Sequence, residues 1–106
     1  MKSPQLFDKI DIQLIRTLHT LLIERSVSKT AMRLGQQQPA VSVALKRLRE
    51  LTGDPILVRS GTGMVPTDVG LRMLGPVTHI LQSAETLFSP ARAFDPAHAQ
   101  ETFRIA

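Results

Sequence analysis

The chain has 106 residues, a net charge of +4, 42% hydrophobic residues and no cysteine. This length fits one small domain with appendages and excludes a large α/β enzyme, and the lack of cysteine excludes disulfides and thiolate sites. No apolar run is long enough to span a membrane and no signal-peptide pattern opens the chain, so we expect a cytoplasmic protein.

The positive charge is concentrated in one stretch. Six of the thirteen basic residues but only two of the nine acidic ones lie between Ser28 and Arg59, and the remaining basic and acidic residues balance. A compact basic zone on an otherwise neutral protein is typical of a protein that binds a polyanion. The alternative from charge alone is a solvated basic face.

Two helices are predicted before residue 36. Apolar residues recur at helical spacing from Ile10 to Leu22, which predicts a helix from its N-cap Asp11 to about Arg25. We expect Ser26-Val27-Ser28 to interrupt this helix. Ser28 would then cap a second, short helix from Lys29 to Leu34, which Gly35 ends.

A third helix is predicted from Gln38-Pro39 to Gly53, because proline fits the first turn and glycine the end of a helix. Its two sides differ in chemistry. The apolar side comprises Val41, Ala44, Leu45, Leu48 and Leu51. The opposite side is a polar and basic stripe made of Gln38, Ser42, Lys46 and Arg49.

A small β-hairpin follows, with strands at 56–59 and 64–65 and a turn at 60–63. Thr67 then caps a long helix from Asp68 to Phe88, in which we expect Gly75-Pro76 to cause a bend or a restart. Its apolar seam consists of Leu74, Val77, Leu81, Ala84 and Phe88, in a heptad pattern. This seam indicates either a homodimer interface or packing onto the first helix.

Beyond residue 89 the composition changes. Two prolines and several small residues predict a linker, and Thr102 to Ala106 has the character of the start of a strand. We therefore divide the chain into a first domain at 1–66, a long helix that carries the apolar seam at 67–89, and at 90–106 a hinge with the expected start of a second domain that lies outside this sequence.

The short helix, the turn containing Gly35 and the helix with the exposed stripe form a helix-turn-helix. The fold class is thus mainly α, a winged helix-turn-helix of three helices and a hairpin, followed by a long helix. Gln38, Ser42 and Lys46 are candidates for contacts with base edges in the major groove. The candidates for phosphate contacts are Ser28, Thr30, Arg33, Arg47 and Arg59.

These residues resemble a known family, the LysR-type transcriptional regulators. The resemblance runs from about Phe7 to Phe88. Within it, the sequence at 48–55 is similar to that of the branch of nodulation and aromatic-degradation regulators. The matching segments are Ser26 to Ala31, Leu34-Gly35, Gln38 to Ser42, Leu45, Leu48, Gly53 to Arg59 and Val65 to Gly70.

The resemblance implies sequence-specific binding of double-stranded promoter DNA in the bacterial cytoplasm. It implies a homodimer formed through the long helix and a tetramer at full length. It also implies a C-terminal domain that binds a small-molecule co-inducer, while no cofactor or metal is expected in this chain. Promoter activation by the family adds RNA polymerase to the expected partners.

By match to the family, Gln38, Pro39, Ser42 and Val43 occupy base-contacting positions, and Arg59 and the hairpin match the wing. The chain departs from the family pattern at several positions. Gln37 stands where the family usually has Ser or Thr as the cap of the third helix, and Thr30 stands where it usually has Ala. Val43 stands where the family commonly has Arg or His, and Thr62 stands where the wing turn often has Arg. Val43 can contact a thymine methyl group but cannot form a hydrogen bond there.

The chain is not expected to be an enzyme. His19, His79 and His98 lack metal-ligand spacing, and the sequence has no Gly-rich phosphate loop or nucleophile triad. The alternative function is a helical protein-interaction module in which the basic zone plays no part. RNA binding is disfavoured because the chain has no Trp or Tyr to stack on bases.

Overall fold

The computed structural model has a helix wherever the apolar spacing of the sequence predicts one. It has one further helix, at the N-terminal end, that was not predicted. The structure describes residues 3–89. The elements within that range are α1 (Ser3–Asp8), α2 (Ile12–Glu24), α3 (Val27–Leu34), α4 (Gln38–Thr52), β1 (Leu57–Ser60), β2 (Gly63–Pro66) and α5 (Asp68–Leu87). The predicted fold class, a mainly helical winged helix-turn-helix with a long final helix, is confirmed.

The turn between α2 and α3 is tighter than predicted. Asp11 caps α2 as predicted, and its carboxylate accepts the Leu14 N–H at 2.8 Å. The predicted cap of α3, Ser28, is wrong, because Ser26 accepts the Lys29 N–H at 3.1 Å and Ser28 lies inside the first turn. One left-handed residue, Arg25 at φ 56°, reverses the chain, so the three-residue interruption does not form.

The core forms where α2, α3, α4 and α5 meet. Each helix contributes the side that its apolar spacing predicts, and the first residues of the hairpin close the core. The buried apolar residues are Leu14, Leu18, Leu21, Leu22, Ala31, Val41, Leu45, Leu48, Ile56, Leu57 and Val77.

The wing is a two-stranded antiparallel hairpin. Leu57 pairs with Pro66 and Ser60 with Gly63, so the turn has only two residues. Its first residue, Gly61, has φ 60°, which glycine adopts without steric cost. β1 starts one residue later than predicted because Ile56 has φ 69° and so leaves the extended conformation.

A hydrogen-bonded junction joins the start of the wing to the start of α5. The Asp54 carboxylate accepts the Ile56 N–H at 2.7 Å and the Thr67 hydroxyl at 2.6 Å. The Thr67 N–H donates to the Ile56 carbonyl at 2.9 Å, and the Thr67 hydroxyl accepts the Gly70 N–H at 3.0 Å. These bonds hold the buried Ile56 in its left-handed conformation and confirm Thr67 as the cap of α5.

Helix α5 runs without interruption through Pro76, so the predicted alternative of a restart there is wrong. Gly75 and Pro76 are exposed, and water can therefore bind the carbonyl that a proline leaves unpaired in a helix. The predicted seam divides along the helix. Val77 is a core residue that is 4% exposed, which corrects its assignment to a dimer interface.

Two further seam residues, Leu74 and Leu81, are half-buried and pack against the same core, as in the alternative of packing onto the first long helix. Ala84 is half-buried, and Phe88 is 80% exposed. Among the seam residues, Phe88 at the C-terminal end therefore leaves the most apolar surface uncovered. Residues 90–106, with the predicted hinge and strand, lie outside the described residues.

Candidate nucleic-acid interface

An open groove lies between the start of α3, one side of α4 and the wing. The described residues that line it are far apart in the sequence. Eight of them have polar or basic side chains: Ser26, Ser28, Lys29, Gln38, Ser42, Arg49, Arg59 and Thr62. The other seven, among them Val27, Val58 and Met64, are apolar or glycine. Among the described residues that line it, none is acidic. The groove can therefore accept a polyanion without repelling it.

The five predicted base-contacting residues, Gln38, Pro39, Ser42, Val43 and Lys46, are all exposed on α4. They do not share one side of the helix. Gln38 and Ser42 line the groove, whereas Val43 lines a shallow depression on the other side of α4. The exposed surface of α4 is thus wide enough for two flanks with different chemistry.

Helix α4 begins without a side-chain cap. Gln37 has extended backbone but forms no cap hydrogen bond, as expected from the lack of the usual Ser or Thr at this position. Pro39 follows in the first turn, where it has no N–H to leave unsatisfied. The first-turn amides of α4 therefore have fewer protein partners than those of α2, α3 and α5, whose caps are filled.

The predicted phosphate contacts divide more sharply. Ser28 and Arg59 line the groove, and Thr62 lies beside them at the turn of the wing. Thr30 is fully buried, and its hydroxyl has no hydrogen-bond partner, so its assignment as a phosphate contact is wrong. The reason is helical spacing: Thr30 lies one turn before Leu34, on the side of α3 that faces inward.

Two predicted arginines lie away from the groove. Arg33 donates to the Glu24 carboxylate at 2.7 Å, an exposed ion pair between α3 and α2. Arg47 lies on the far flank of α4, beside Val43 on one side and Glu50 on the other. Neither side chain is buried, but the structure does not bring them together with Ser28 and Arg59.

The sequence placed Arg49 in the exposed stripe, but the structure gives it a different role. Its guanidinium donates from Nε to the Pro55 carbonyl at 2.8 Å and from Nη2 to the Leu57 carbonyl at 2.9 Å. Arg49 is half-buried and holds the wing against α4. Sequence reasoning also missed Lys29 as a groove residue, although its position next to Ser28 on the exposed side of α3 was a usable signal.

Other kinds of site find little support in the part of the chain that the structure describes. Residues 3–89 contain no group of His, Cys, Asp or Glu side chains placed to hold a metal ion. None of the helices in this range is long and apolar enough to cross a membrane.

Comparison with known proteins identifies a family model that covers the whole helix-turn-helix and wing. The model for bacterial regulatory helix-turn-helix proteins of the lysR family matches residues 12–71. This range begins at the first residue of α2 and ends just inside α5.

Individual relatives agree with this match. The chain is 40% identical over 97 residues to the HTH-type transcriptional activator NahR of Pseudomonas putida, a match that covers 92% of this chain and 32% of NahR. It is 34% identical over 99 residues to nodulation protein D 2 of Bradyrhizobium elkanii, covering 93% of this chain and 30% of that protein. The chain thus spans about a third of the length of these curated relatives.

The fold matches that of a protein domain whose structure is solved in complex with DNA. The BenM DNA-binding domain bound to catB site 1 DNA superimposes with a TM-score of 0.72 at 21% identity, covering 82% of this chain and 98% of the BenM domain. NahR is named as an activator of transcription, in agreement with the expectation of a regulator.

Proposed function

Because the chain belongs to the LysR family of bacterial regulatory helix-turn-helix proteins, we propose that its groove and the exposed side of α4 bind promoter DNA with sequence preference. The DNA-binding domain of a LysR-family transcriptional regulator comprises α2 to the start of α5 here.

The observation that carries the proposal is the composition of the groove. Polar side chains of α4 and basic side chains of α3 and the wing face one open space, with no carboxylate among the described lining residues. A helix of this kind fits the major groove, where Gln38 can pair with adenine and Ser42 and Lys46 can contact bases or phosphates.

The surrounding groups supply affinity for the phosphate backbone. Ser28 and Lys29 at the start of α3 and Arg59 and Thr62 in the wing border the groove on its two sides. Phosphate contacts fix the position of a protein on the duplex, and base contacts then determine the sequence it prefers. The proposed interface has both kinds of group, with the base contacts at its centre.

The proposed assembly is a homodimer formed through α5. Support comes from apolar residues that stay exposed in the second half of α5 and at its C-cap: Ile80 is 43% exposed, Leu87 70% and Phe88 80%. Residues 90–106 would lead into a domain that binds a small-molecule co-inducer, with tetramers at full length. RNA polymerase would be a partner at promoters, in the bacterial cytoplasm.

The salt dependence of binding to duplex DNA tests the proposal. Binding that releases counterions weakens with salt, with a log–log slope of about −0.9 for each phosphate contact. With several contacts in each protomer, we expect a steep slope for the purified chain. A flat response would favour the alternative, a protein-interaction module in which the basic zone plays no part.

Base contacts are tested separately, by comparing an operator found by footprinting with random DNA. Gln38→Ala and Ser42→Ala should each reduce discrimination by roughly 1–3 kcal/mol at the contacted base pair. Equal losses on operator and random DNA would show that these side chains contribute affinity without sequence preference. Arg59→Ala is the matched control, because a phosphate contact should weaken binding to both DNAs alike.

A further inference from the structure

The exposed side of α4 carries, at its N-terminal end, an apolar patch that consists of Pro39, Ala40 and Val43. All three side chains are exposed, and Val43 is 59% exposed. Val43 lies four residues after Pro39 and three after Ala40, so it shares one side of the helix with both. The apolar residues on the opposite side of α4, such as Val41 and Leu45, are buried in the core.

The position of this patch matters more than its size. On one flank, Gln38 and Ser42 line the groove beside the wing. On the other flank, Arg47 shares with Val43 and Ala40 a shallow depression whose lining also includes Asp11, the carboxylate that caps α2. A duplex that contacts Gln38 and Ser42 while its backbone passes near Arg47 must cover the patch between them.

The floor of the major groove offers such a patch one kind of partner. Thymine carries a methyl group at C5, whereas the other edges exposed there are hydrogen-bond donors and acceptors. Val43 has no polar group, so it cannot satisfy a donor or acceptor that it removes from water. A base pair without the methyl group would therefore offer Val43 no apolar group to bury at this position.

From this arrangement we infer that the apolar patch of α4 selects a pyrimidine C5-methyl group at one base pair in each half-site. The inference rests on the proposed function and adds the chemical class that this part of α4 recognises. The C5-methyl group of 5-methylcytosine occupies the same place as that of thymine. The protein should therefore distinguish methylated from unmethylated cytosine at that base pair.

Deoxyuridine tests the inference directly, because it removes only the methyl group of thymine and keeps every hydrogen-bonding edge. Each thymine of the footprinted operator is replaced in turn, and the Kd of the chain is measured by fluorescence anisotropy. At one position in each half-site we expect about a fourfold weakening, the effect of one buried methyl group at about 0.8 kcal/mol. The Val43→Ala variant should lose most of this penalty.

Lys46→Ala serves as the matched control variant. It should bind more weakly overall but keep the fourfold penalty, because its side chain does not belong to the patch. Equal penalties in Val43→Ala and in the wild-type chain at every position, or no penalty anywhere, would overturn the inference. Specific binding to the unmodified operator would still hold in that case, so the proposed function would be unaffected.

Cytosine at the same position provides the second arm. Replacing the thymine by cytosine should weaken binding, and 5-methylcytosine should restore about fourfold of the loss in the wild-type chain but not in Val43→Ala. Equal affinity for cytosine and 5-methylcytosine in the wild-type chain would contradict the inference.

Discussion

Helices α4 and α5 both pack one side against α2, yet their exposed sides have opposite character. The exposed side of α4 is mostly polar and basic, and its apolar residues are largely used by the core. Helix α5 has more apolar surface than α2 can cover, and Leu71, Ile80 and Leu87 stay exposed. The difference supports the proposed roles, in which α4 faces a charged, hydrated ligand and α5 faces the apolar surface of a second chain.

The largest expected effect on stability comes from a substitution in the first half of α5 and has a counterpart in the second half. Val77→Asp should destabilise the fold by about 4 kcal/mol, because it places a carboxylate without a partner in the core. Leu87→Asp should change the free energy of unfolding by at most about 0.5 kcal/mol but dissociate the proposed dimer.

Urea unfolding and light scattering measure the two effects separately. A stable Val77→Asp variant would show that α5 does not use this residue to pack on the core. A Leu87→Asp variant that remains dimeric would place the dimer interface outside the C-terminal part of α5.

The second prediction compares two glycines of α5. A Cβ atom at Gly70 would lie 2.7 Å from the Ile56 carbonyl oxygen and 3.2 Å from Leu22 Cδ2, so Gly70→Ala should cost about 1–3 kcal/mol. A Cβ atom at Gly75 would meet nothing within 4 Å apart from its chain neighbours, one of which is Pro76. Gly75→Ala should therefore change stability by less than about 1 kcal/mol, because the higher helix propensity of Ala is offset by the contact of its Cβ with the Pro76 ring. Thermal unfolding of both variants checks the prediction, and a loss at Gly75 equal to that at Gly70 would contradict it.

The third prediction divides the basic residues of α4. Arg49→Met should cost about 1–3 kcal/mol, because the carbonyls of Pro55 and Leu57 lose their donor. Lys46→Met should leave stability unchanged and reduce the steepness of the salt dependence by about 0.9. Denaturant unfolding and DNA titrations at several salt concentrations measure both quantities. The same change in stability for the two variants would remove the distinction between them.

The smallest expected effect concerns α3, which packs against both α2 and α4. Thr30→Val should stabilise the fold by about 1 kcal/mol, because the buried hydroxyl of Thr30 has no partner. Thr17→Val is the matched control and should bring no such gain, since its hydroxyl donates to the Gln13 carbonyl at 2.9 Å. DNA affinity should be unchanged in Thr30→Val, and a loss of affinity would restore Thr30 to the interface.

Periodic apolar spacing was sufficient to predict α2, α4 and α5, because each of these helices buries one side in a shared core. The hairpin was predicted from its β-prone and turn-forming residues, and of its two strands only Leu57 is fully buried. The side chains that fill helix caps were also predictable at Asp11 and Thr67. The cap of α3 was not, because the preceding turn depends on the left-handed backbone of Arg25, a conformation that arginine does not favour.

The site was less predictable than the fold. The inward position of Thr30 follows from its spacing to Leu34 and could have been inferred. The role of Arg49 could not, since it depends on how the chain after Gly53 folds back over the end of α4. The heptad pattern of α5 could not distinguish its own α2 from a second chain, because both present an apolar helix.

The Asp54 carboxylate ties the wing to α5, and this has a consequence for the DNA sites that the proposed dimer can occupy. Because the base of the wing at Ile56 and the first turn of α5 share one set of hydrogen bonds, these bonds couple each wing to the helix that would form the proposed dimer. One inserted base pair between half-sites moves the second site by about 3.4 Å and rotates it by about 34°. A dimer with fixed wings tolerates little of this displacement, so its operators should keep one strict spacing.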